Sequence, residues 1–113
     1  MPPVRDADTL AKFCTAFEEW NSGGVLWRQV PTEWVSANLD GCTPNAITCL
    51  IREHIANGGE IDRAEDSRSN FRRLHPYHYD FRISISGRPI YIETILDDVK
   101  MGPRLTVVSI HDV

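Results

Sequence analysis

Residues 79-85, Tyr-Asp-Phe-Arg-Ile-Ser-Ile, alternate strictly between apolar and polar side chains. Period-two alternation marks a strand with one buried face. Ser86-Gly87-Arg88-Pro89 interrupts the run and Ile-Tyr-Ile-Glu-Thr-Ile-Leu, 90-96, resumes it. The pattern predicts strands over about 77-86, 89-96 and 104-111. A weaker first strand is expected over 60-66, where Ile61 is the one strong apolar residue.

Upstream the spacing changes to that of helices. Leu10, Phe13, Cys14 and Phe17 share one face of a helix expected over 6-20, which Asp6 or Asp8 can cap. Asn21-Ser22-Gly23-Gly24 is its stop signal. Thr43 caps a second helix with Pro44 at its first position, Ile47, Leu50, Ile51 and Ile55 as its apolar stripe, and Asn57-Gly58-Gly59 as its end. His54 falls beside that stripe and is expected to be a satisfied, half-buried histidine. Between them, 25-42 is hard to read: Val25-Leu26-Trp27 is a short apolar run, and Pro31 can open a short helix carrying Trp34, Val35 and Leu39. Trp27 and Trp34 are expected to anchor the core. The fold class is therefore α+β. Two to three N-terminal helices should pack on one face of a C-terminal antiparallel sheet of three to four strands, in one domain spanning 1-113.

The turn sets which polar residues meet. A Gly87-Arg88 loop suits a type II′ turn and pairs Arg82 with Glu93 and Ser84 with Tyr91. A Ser86-Gly87 loop sets Asp80 against Glu93, and like charges oppose pairing. The first register is therefore expected. One face then carries His78, Asp80, Arg82, Ser84, Tyr91 and Glu93. The last strand adds Ser109 and His111 if Val108 and Ile110 face the helices.

The length and the 42% hydrophobic, 25% charged composition fit a globular chain. No apolar run is long enough to span a bilayer, and the first six residues hold no signal-peptide core, so a cytoplasmic protein is expected. Cys14, Cys42 and Cys49 form an odd set without CxxC spacing, which argues against disulfides and a cysteine zinc site and predicts small buried hydrophobes. A net charge of -4 disfavours nucleic acid globally. Positive charge is nonetheless concentrated at Arg63, Arg68, Arg72, Arg73, Arg82 and Arg88.

The polar face holds the parts for metal-independent RNA cleavage. Glu93 or a histidine can take the 2′-hydroxyl proton, His78 or His111 can protonate the leaving oxygen, and Arg82 or Arg68 can clamp phosphate. Arg68, Arg72, Arg73 and His75, from a loop expected over 67-76, and Tyr91 are the candidate substrate-binding residues. His75-Pro-Tyr-His78-Tyr-Asp80 offers imidazoles and a carboxylate to a metal, but alternation puts 75 and 78 on opposite faces. No metal and no cofactor is therefore expected.

Two helices followed by such a sheet, with the 79-96 hairpin, the basic loop and His78, Arg82, Tyr91 and Glu93, resemble the RelE/ParE-like toxins and the wider barnase-like ribonucleases. The resemblance implies an endoribonuclease of toxin type with RNA as its partner. It supplies no sharp motif and assigns no residue. The alternative is a protein-interaction module of immunity or regulatory type, with a homodimer through the Trp27/Trp34 segment open to it.

Overall fold

The computed structural model describes residues 4–18, 25–65, 77–99 and 102–113. The elements run α1 (Ala7–Glu18), β1 (Val25–Trp27), α2 (Gln29–Asn38), α3 (Pro44–Ala56), β2 (Asp62–Glu65), β3 (Tyr77–Ile85), β4 (Arg88–Val99) and β5 (Gly102–Asp112). The strands form one sheet in the order β1-β5-β4-β3-β2. The α+β class and the helical layer match expectation. The sheet is larger and mixed: β1 lies parallel to β5 and covers what would have been its bare edge. Three residues carry too little periodicity to announce a strand.

Asp6 caps α1 by accepting the Thr9 amide, 3.0 Å away. Its carboxyl is held down at about 2, chiefly by hydrogen bonding from Thr9, with further help from Arg63. Phe13, Ala16 and Phe17 are buried, whereas Cys14 is exposed. The stop signal at 21-24 lies outside the described residues. Thr43 caps α3 by accepting from the Ala46 amide, with Pro44 in the first turn. Ile47 and Ile51 are buried and Leu50 and Ile55 pack against the core. Cys49 on α3 is exposed and Cys42 only half-buried, so the cysteines are not the buried hydrophobes expected. Each sits one position off its helix's apolar stripe or at its entrance, where alternatives to burial exist. Trp27 and Trp34 do pack on the core. The Trp27 indole donates to Thr48 Oγ1 at 2.9 Å.

The helices cover one face of the sheet. Tyr79, Phe81, Ile85, Ile90, Ile92, Leu105, Val107 and Ile110 are buried in the core they share. Phe13 meets Tyr79 and Phe81 edge to face, at 5.3 and 5.8 Å between ring centres. On β5 the inward residues are Val107 and Ile110 rather than Val108 and Ile110. The register shifts between Glu93 and Thr94, whose partners are Ser109 and Val107, leaving Val108 as the bulged residue.

The hairpin corrects the expected register. Ser86 and Gly87 form the loop, with φ of 53° and 77°, and Ile85 pairs with Arg88. Two positive φ values make a type I′ turn, whose twist matches the strands better than the penalty at Ser86 opposes it. Arg82 thus faces Tyr91, and Asp80 faces Glu93. The register moves by two residues, so every side chain keeps its predicted face.

His54 is half-buried, as expected: Nε2 donates to the Glu60 carbonyl at 2.7 Å and the ring meets Phe81 edge on. A Cβ at Gly59 would fall inside that imidazole. Gly59→Ala should therefore displace the ring and cost about 1–2 kcal/mol of stability. A urea-unfolding midpoint equal to the wild type's would contradict this.

Candidate acid–base site on the polar face of the sheet

The side of the sheet away from the helices is polar but not uniformly open. Asp80 is 1% exposed and Asp62 8%. Asp80 is the hub. Its Oδ1 accepts from His78 Nδ1 at 2.8 Å, and its Oδ2 accepts from the Tyr91 hydroxyl. Sequence alternation placed Asp80 on this face and offered it only as a carboxylate for a metal, not as a partner of His78 in acid–base chemistry. The signal was available in the spacing: His78 and Asp80, two apart on a strand, must point the same way.

The like-charge pairing of Asp80 with Glu93 survives because both Asp80 oxygens are taken by donors. Arg82, next along β3 on the same face, pairs with Asp62 at 3.1 Å and remains 56% exposed. The Tyr91 hydroxyl is pushed well above its ordinary range by burial, by its bond to Asp80, and by the negative charges of Asp80 and Glu93; Arg82 opposes this in part. Tyr91 is thus a neutral donor, fixed on Asp80. His111 stacks on its other side, with ring centres 5.1 Å apart and planes 17° from parallel. His111 Nδ1 lies 2.8 Å from the Asp112 carbonyl.

Of the residues singled out in the sequence, His78, Arg82, Tyr91, Glu93 and His111 do share this face. They do not form one cluster. His111 sits opposite Tyr91, while His78 lies just beyond the Tyr79–Thr94 pair, on the far side of β4. The two histidines are separated by roughly 13 Å along the strands and roughly 10 Å across them, from ordinary strand spacings. That is too wide for both to serve one phosphodiester. His78 and Glu93 are close instead: donor atoms of His78, Asp80 and Glu93 all fall within 4.8 Å of one another. Arg68, Arg72, Arg73 and His75 lie outside the described residues.

Asp80 also satisfies what a working histidine needs. A buried carboxylate on Nδ1 fixes the ring and its tautomer and leaves Nε2 as the reacting atom. No serine, threonine or cysteine among the described residues is bonded to His78.

At the level of whole molecules, the chain matches no family model, no curated protein and no solved structure.

Proposed function

We propose that the protein is a small endoribonuclease that cleaves RNA without a metal ion. The observation that carries this reading is the His78–Asp80 dyad beside Glu93, with no serine, threonine or cysteine among the described residues bonded to His78. RNA brings the nucleophile itself, as the ribose 2′-hydroxyl. Glu93 takes that proton as the 2′-oxygen attacks phosphorus. His78 gives its Nε2 proton to the departing 5′-oxygen, and Asp80 stabilises the imidazolium. The products are a 2′,3′-cyclic phosphate and a 5′-hydroxyl. Arg82, more than half exposed, meets the phosphate, and the stacked Tyr91–His111 pair gives a base a planar neighbour.

The toxin-type context suggested by the RelE/ParE resemblance belongs to the same proposal. An interaction module is the weaker reading, because Trp27 and Trp34 pack on the protein's own core.

Single-stranded RNA and the matching DNA, incubated with protein in EDTA at low salt, separate the possibilities. Cleavage of RNA alone is expected, with Glu93→Gln slower by about 10²-fold. A folded protein that leaves RNA intact sinks the proposal.

A further inference from the structure

We infer that His78, Asp80 and Glu93 also form a binding site for one divalent transition-metal ion of the Zn2+ class. The site's existence does not depend on the nuclease reading; only its consequence for RNA cleavage does.

Geometry is the first support. Two donors each about 2.1 Å from a tetrahedral ion stand about 3.4 Å apart. The three groups here have donor atoms within 4.8 Å of one another, with His78 Nδ1 and Asp80 Oδ1 at 2.8 Å. Small rotations bring all three onto one centre. The ion takes the place of the hydrogen that His78 Nδ1 donates to Asp80, and the imidazole stays neutral by carrying its one hydrogen on Nε2 instead.

Charge is the second. Asp80 and Glu93 are directly opposed across the β3–β4 ladder, and Asp80 is buried. Paired like charges on adjacent strands oppose the fold. Two carboxylates and a neutral imidazole balance a dication.

The outer shell is the third. Tyr91 donates to the second oxygen of Asp80 and so fixes which oxygen faces the ion. Carboxylate ligands held in this way are a regular feature of metal centres. One imidazole and two carboxylates suit a borderline ion better than Mg2+, which prefers oxygen alone. Three protein ligands leave a fourth position for water or substrate.

Zn2+ titrated against a chromophoric chelator, and Co2+ followed by its visible absorption, test the site on the intact chain. One ion per chain at micromolar or tighter affinity is expected. Glu93→Gln and His78→Ala should each weaken binding by more than about 100-fold, and Tyr91→Phe by about 10- to 100-fold, as for outer-shell partners. Circular dichroism checks that each variant is folded. Cys14→Ser and Cys49→Ser should leave binding unchanged. Failure of the wild type to bind, binding indifferent to Glu93→Gln, or binding lost with the thiols overturns the inference.

Equimolar Zn2+ should also stop the cleavage seen in EDTA, since it occupies both proton-transfer groups. Zn2+ binding without any RNA cleavage in EDTA removes the nuclease reading and leaves the metal site standing. Cleavage in EDTA without Zn2+ binding does the reverse.

Discussion

Asp80→Asn should lower the rate of RNA cleavage in EDTA on the order of 10³- to 10⁴-fold while the protein stays folded. The substitution keeps the size and shape of a side chain that is almost fully buried. It removes the charge that faces His78 Nδ1 at 2.8 Å. An amide can meet the ring with its oxygen or its nitrogen. With oxygen forward, it orients His78 but gives little stabilisation to the imidazolium that must deliver a proton. With nitrogen forward, it opposes the Nδ1 hydrogen and forces the other tautomer. Either arrangement impairs transfer at Nε2, and general acid–base catalysis contributes roughly 10²- to 10⁴-fold. Asp80 touches no substrate and acts through His78, so kcat should fall with little change in KM. Arg82→Ala, which removes a phosphate contact, should instead raise KM. An Asp80→Asn variant with wild-type kcat would leave the dyad a structural bond and nothing more.

The polar face was legible in the sequence because strand alternation depends only on parity. A shift of two residues in the hairpin left His78, Asp80, Arg82, Tyr91 and Glu93 together. The register itself was not legible. Like-charge repulsion between Asp80 and Glu93 argues against the Ser86-Gly87 turn only if both carboxylates face water. In the fold Asp80 is buried and takes hydrogen bonds from His78 and Tyr91. His78 stands two residues along the same strand, but the Tyr91 hydroxyl arrives from β4 only once the register has formed, so a pairwise rule cannot anticipate it. The same limit applies to His111: sharing a face with His78 says nothing about distance across an intervening strand. Val25-Leu26-Trp27 reads in the sequence only as an apolar run, because a three-residue strand such as β1 is specified by the free edge of β5, not by its own pattern. Cys14 and Cys49 show the limit of helical periodicity, since a residue at the edge of an apolar stripe can turn either way.

The largest loss of stability is expected from Phe81→Ala, at about 3–5 kcal/mol in urea unfolding. Phe81 has no exposed surface and lies in the middle of β3. Its ring is met edge on by Phe13 from α1 and by His54 from α3. One side chain thus ties two helices to the strand. Removing it deletes apolar burial, opens a cavity between elements held rigidly by their own hydrogen bonds, and strips both aromatic partners. Collapse is restricted, because β3 is paired on both edges, with β2 and β4. Ser84→Ala, exposed on the opposite face of the same strand, should change stability by less than about 0.5 kcal/mol. The contrast separates packing from strand propensity, which disfavours alanine at both positions. Phe81 also stands between Asp80 and Arg82, so β3 presents its polar residues only while this anchor holds the strand against the helices. Below the unfolding transition, Phe81→Ala should therefore weaken the His78–Asp80 geometry as well. Cleavage and metal binding should then fall together, whereas Ser84→Ala should leave both intact.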